Sequence, residues 1–265
     1  MEAAKPDYDL SVVSGLTDSL KKEGLSPKAL NRYSDDELAR LYMALANITF
    51  LFPEDEYFVE MQERAFQIKS DRGIRLKLDV DDMYSAYLAA RMFKKAAAIK
   101  RQFPDIRFYA MPEKIISTDL AGATRWRVYD VADGGKTIEL KALPMGQGHT
   151  VVMLMLPGCG VAEKAMKEIL ADPDLGPVFR QYGAVMTKSM NAESVALWKN
   201  HFGFPNVYLA YKASDFPDFD FSLSPNFYFL SDGIVKSQVD GWHRDWRQRI
   251  VKGFESISIP TRPSE

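Results

Sequence analysis

The sequence predicts an α/β protein in two parts: an all-helical region over residues 1–115, then a three-layer domain with a mixed central sheet over 116–265. Three observations carry this. Up to about residue 115, apolar positions recur at three- and four-residue spacing, as on a helix that buries one face. From Arg125 the period shortens toward two, in short runs of β-branched and aromatic residues. The continuously apolar run Val151 to Leu156 then reads as a strand covered on both faces.

Taken in order, the first clear element begins at Ser34-Asp35-Asp36-Glu37, a capping box whose Ser and Glu satisfy free N–H groups at a helix start. Leu38, Leu41, Tyr42, Leu45 and Ile48 form its apolar face, and Phe52-Pro53 stops it. A second helix is expected over Glu54 to Ile68, ending near Asp71-Arg72-Gly73. A third is expected to start at Asp81 and Asp82, whose charges suit the positive end of a helix dipole. Phe93, Ala96, Ala97 and Phe103 continue the pattern to Pro104. The stretch Tyr84 to Asp105 loosely resembles a tetratricopeptide-type helical hairpin. No repeat period recurs, and an antiparallel helical cap on the second domain is the plainer reading.

In the second part, Trp126, Val128 and Val131, the turn Asp133-Gly134-Gly135, and Thr137 to Leu140 form a hairpin. Val151 to Leu156 is the central strand. Pro157, Gly158, Cys159 and Gly160 break it, and Val161, Ala162, Ala165, Met166 and Ile169 begin a helix. Gly183 to Met190 is a strand, Ala192 to Phe202 a helix ending at Gly203, and Asn226 to Leu230 and Ile234 to Val239 two strands joined at Asp232-Gly233. Trp242, Trp246, Ile250 and Phe254 mark a closing amphipathic helix.

Composition narrows the function classes. Lys and Arg number 34 against 36 Asp and Glu, a net charge of −2, so no excess of positive charge offsets phosphate repulsion and nucleic acid is not an expected partner. No apolar run approaches the ~20 residues that cross a bilayer. The single cysteine, Cys159, rules out an intramolecular disulfide, and with His149, His201 and His243 far apart no metal spacing exists. No cofactor is expected. Residues 1–7 lack the basic and apolar segments of a secretory signal, which leaves a cytoplasmic protein or a mature form restarted with Met.

Cys159 is the candidate nucleophile. A thiol at the first turn of a helix faces unpaired N–H groups and a partial positive charge, which favour the thiolate. The opposing reading is a small buried apolar residue, as most free cysteines are. The aromatic and acidic run Phe216 to Phe221 reads as a surface loop pinned by its aromatics. Arg244, Arg247, Arg249 and Lys252 read as a solvated helix face, and Met153, Met155, Met166 and Met186 as core.

The element order, with Val151 to Leu156 followed by Cys159-Gly160-Val161-Ala162, resembles the thioredoxin fold, in the TlpA-like and peroxiredoxin-related branch that carries a leading hairpin. The resemblance spans about residues 125 to 256 and includes Leu223 to Leu230 in place of the family's cis-proline strand. It implies a reactive thiol at Cys159, bordered by Gly158 and Gly160. It also implies a substrate ledge at Ser224 and Pro225, with a cis bond before Pro225 and contact with Cys159. The chain departs from the family where Ala162 replaces the resolving cysteine, Met153 a buried acid and Gly158 a tryptophan. Leu156 stands where a peroxiredoxin places threonine. The implied function is a monothiol protein forming mixed disulfides with a protein, peptide or small-molecule thiol; a redox-inert binding module is the alternative. The family branch implies a periplasmic or extracytoplasmic setting. Neither partner identity nor oligomeric state is legible.

Overall fold

A computed structural model of the chain describes residues 21, 27–118, 120, 122 and 124–261. The chain divides into two compact units, one ending at Phe108 and one starting at Tyr109. This lies ahead of the 115/116 division that the loss of helical periodicity suggests. The reason is a short strand at Lys114–Ile116 that pairs with the sheet of the second unit.

The first unit contains α1 (Pro27–Leu30), α2 (Asp35–Leu51), α3 (Glu56–Asp71), α4 (Lys77–Ala89) and α5 (Phe93–Gln102). Residues 1–20 and 22–26 of the expected helical region lie outside the described residues. The capping box starts α2: Ser34 N–H donates to the Glu37 carboxylate at 2.8 Å, and Glu37 N–H donates to Ser34 Oγ. Leu38, Tyr42 and Leu45 then face inward, against α3 and α4. The start expected at Asp81 is corrected to Lys77, because Asp79 ties the turn from inside, its carboxylate accepting Leu76 N–H at 2.6 Å. Asp79 also meets Lys69 Nζ of α3 at 2.7 Å in the core, where the ammonium lies 4.7 Å from the centre of the Tyr42 ring. Thr49 donates to Gln62 and Gln62 to the Tyr42 hydroxyl, so these buried polar groups are satisfied by one another.

The second unit is built on one mixed sheet with strand order β1-β3-β2-β6-β5-β4-β7-β8. Its strands are β1 (Lys114–Ile116), β2 (Arg127–Ala132), β3 (Thr137–Ala142), β4 (His149–Leu154), β5 (Gly183–Thr187), β6 (Val207–Ala210), β7 (Asn226–Ser231) and β8 (Ile234–Asp240). β4, β5 and β6 run parallel, and β7 joins β4 antiparallel with Val152 opposite Tyr228. The helices are α6 (Gly160–Ala171), α7 (Leu175–Tyr182), α8 (Ala192–Phe202) and α9 (Trp246–Ser256).

Three elements escape the sequence reading. β1 and β6 are too short to show an alternation, and α7 carries Gly176 and Pro177, which argue against a helix although Pro is tolerated in a first turn. The expected central strand moves two residues earlier, to 149–154, and Trp242 precedes the closing helix rather than belonging to it.

β4 is buried on both sides. Val152 and Leu154 join a core cluster with Trp126, Val128, Met186, Ala210, Tyr228 and Leu230. The segment between β6 and β7 adds Phe216, Phe219 and Phe221, Phe219 stacking on Tyr228 with ring centres 4.4 Å apart. Buried Asp215 anchors that segment through two hydrogen bonds from the Arg127 guanidinium. α7 packs on β4 and β5, and α9 on β7 and β8. At Gly253 of α9 a Cβ would lie 2.3 Å from the buried Phe229 ring, so only glycine lets the helix approach β7 this closely. Among the described residues no helix is long and apolar enough to cross a membrane.

Candidate functional site

The parallel strand β4 ends at Leu154, and a turn through Pro157 and Gly158 leads into α6. Gly158 takes a φ of 82°, which a side chain would resist, and Cys159 N–H donates to the Leu156 carbonyl at 3.1 Å. This turn places Cys159 as the residue that caps α6, the Glu163 N–H donating to its carbonyl at 3.0 Å. The sulfur therefore sits where the first N–H groups of the helix have no carbonyl partner.

From the other side of β4, the chain enters β7 through Ser224-Pro225, whose peptide bond is cis. Pro225 is buried, and its carbonyl accepts Gly241 N–H beyond β8. Ser224 is thereby held against the turn. Its hydroxyl oxygen accepts Leu156 N–H at 2.9 Å, and its carbonyl accepts the Cys159 thiol at 3.6 Å. Residues 65 positions apart in the chain are thus in direct contact.

Cys159 is half-buried and free. Partial burial is the largest single influence on the thiol and opposes its ionisation. Hydrogen bonding from the Ser224 side chain and from the N–H groups of Ala162 and Val161 outweighs it, and the thiol is held below its ordinary value. The structure thus brings Cys159 against Ser224, the residue that precedes Pro225. Gly158 and Gly160 flank the sulfur, exposed, and a Cβ at either would meet nothing within 4 Å. Only Gly158 is required for its backbone conformation.

Leu156, Val161 and Leu223 were not named as site residues by sequence reasoning. Leu156 and Val161 lie within three residues of Cys159 and Leu223 adjoins Ser224, and they are 37%, 49% and 41% exposed respectively. Ala162, by contrast, is fully buried.

The other candidates resolve as structure. Phe216, Phe219 and Phe221 are core, as are Met153, Met155, Met166 and Met186. Arg247 pairs with Asp172 and Asp174, and Arg249 with Asp240. Among the described residues no cluster of three or more His, Cys, Asp or Glu could hold a metal ion.

No protein-family model matches the chain, and no curated protein matches it.

Proposed function

We propose that the second unit is a thioredoxin-like domain and that the protein is a monothiol agent forming mixed disulfides through Cys159 with protein or peptide partners. The observation that carries the reading is the contact between the helix-capping sulfur of Cys159 and the Ser224 carbonyl ahead of Pro225. The flanking strands agree with it: the strand that leads to Cys159, β4, lies between a parallel and an antiparallel neighbour, the latter entered through the proline.

In the proposed step, the Cys159 thiolate attacks one sulfur of a partner disulfide. A bond forms between that sulfur and Sγ, the partner's S–S bond breaks, and the second sulfur leaves as a thiolate that takes a proton from water. With Ala162 in the resolving position the adduct cannot release itself, and a thiol from another molecule must do so. The exposed Leu156 and Val161, within three residues of Cys159, and Leu223, next to Ser224, suit an apolar stretch of the partner. An extracytoplasmic setting supplies such disulfides, since they persist in oxidising compartments. A redox-inert binding module is the second reading, favoured by the same apolar border and by the missing second thiol.

The native chain treated with dithiodipyridine at neutral pH tests the reading. One equivalent of released thione and a stable adduct at Cys159, cleared only by added thiol, are expected. A thiol that reacts only after unfolding leaves the binding module as the better account.

A further inference from the structure

Apart from Cys159, the first unit carries a groove of about 340 Å³ between residues 75–77, leading into α4, and residues 102–106, leaving α5. That volume is at the lower end of the ~300–1,000 Å³ typical of ligand sites. Arg75 lies over aromatic rings there: its guanidinium carbon is 4.2 Å from the ring centre of Phe103 and 6.0 Å from that of Phe66. A guanidinium held over a ring has N–H groups left to offer a planar anion. Among the described residues the side chains of Arg75, Lys77 and Gln102 make no hydrogen bond or ion pair.

The composition of the walls selects the ligand. Arg75 and Lys77 against Asp105 leave one positive charge in excess, which suits one carboxylate better than a doubly charged phosphate. The Gln102 side chain offers both a donor and an acceptor, the complement of a peptide bond. Leu76, 62% exposed, stands with Phe103 and Ile106 as an apolar wall.

We propose that this groove binds the free C-terminus of a peptide ending in an apolar residue. The carboxylate lies on Arg75 and Lys77, the last peptide bond on Gln102, and the last side chain against Leu76, Phe103 and Ile106. The site is independent of the thiol chemistry.

Calorimetric titration of the full chain with N-acetylated alanyl-alanyl-leucine, its C-terminal amide and isocaproate tests the assignment. The free acid is expected to bind, with the amide weaker by about tenfold or more, the factor for losing a charge-assisted hydrogen bond. Isocaproate, which has the carboxylate and the apolar body but no peptide bond, is expected to bind more weakly than the peptide. Arg75→Gln should abolish the preference for acid over amide. Lys77→Ala, at an exposed side chain that supports no packing, should weaken the acid several-fold with the unfolding midpoint unchanged. Absence of binding at millimolar peptide, equal binding of acid and amide, isocaproate as tight as the peptide, or unchanged affinity in both variants each overturns it.

Discussion

Ser224 controls the environment of Cys159 more than any other residue. It fixes the turn through Leu156 N–H, meets the thiol with its carbonyl, and stabilises the thiolate with its side chain. Ala162 is the other decisive position, because its N–H supports the sulfur while its methyl group cannot resolve an adduct. Residues three apart on a helix have Cβ atoms roughly 5–6 Å apart, so a thiol at 162 lies close to Cys159 and a modest local adjustment joins them. The substitution Ala162→Cys is therefore expected to close an internal disulfide under mild oxidation, with free thiols falling from two to none. The variant should gain repeated disulfide reduction where the parent stops after one adduct. Failure to close would mean that Cys159 does not start the helix with 162 facing it.

At the scale of elements, α3 and α4 are joined by the buried Lys69–Asp79 pair, 2.7 Å apart with Lys69 2% exposed. Removing one partner strands the other charge in the core. Lys69→Met should cost ~3–5 kcal/mol of the stability of the first unit, while the double replacement Lys69→Met with Asp79→Leu should recover most of it. Urea midpoints of the single and double variants decide this, and equal losses in both would show that the pair is not what holds the helices. The same pair explains a limit of sequence reading. The capping box at Ser34, the αL glycine after α8 at Gly203 and the turn at Asp133–Gly135 are local patterns that need no tertiary partner, and each was legible. The start of α4 was not, because Asp79 acts both on Leu76 N–H and on a lysine ten residues earlier. β6 escaped for a similar reason: Val207–Ala210 is a strand through its neighbours β2 and β5, not through a pattern of its own. At the site, Cys159 and Ser224-Pro225 could be named from the sequence. The apolar border of Leu156, Val161 and Leu223 could not, since exposure is decided by how two distant turns come to face each other.

For the whole molecule, the second unit holds a complete sheet and its own core cluster, from Trp126 through Leu230. A unit with its own core is a candidate for independent folding. A fragment beginning at Tyr109 is therefore expected to be soluble, to unfold in one cooperative transition, and to retain the thiol reactivity of the full chain. Aggregation of the fragment, or a thiol that changes reactivity on excision, would show that the first unit is needed to complete it. This differs from the helical cap that the sequence suggests as the plainer reading, and the fragment separates the two.

The central claim is that Cys159 is a nucleophile made ready by Ser224 and the start of α6. The most direct test is the pH dependence of iodoacetamide alkylation of the native chain, beside the Ser224→Ala variant. A thiol held below its ordinary value is ionised over a wider range, so the rate should reach half its plateau at a lower pH in the native chain than in the unfolded one. Loss of the Ser224 side-chain hydrogen bond should move that midpoint up and slow the reaction at neutral pH. A native midpoint no lower than that of the unfolded chain, left unmoved by Ser224→Ala, would contradict the claim.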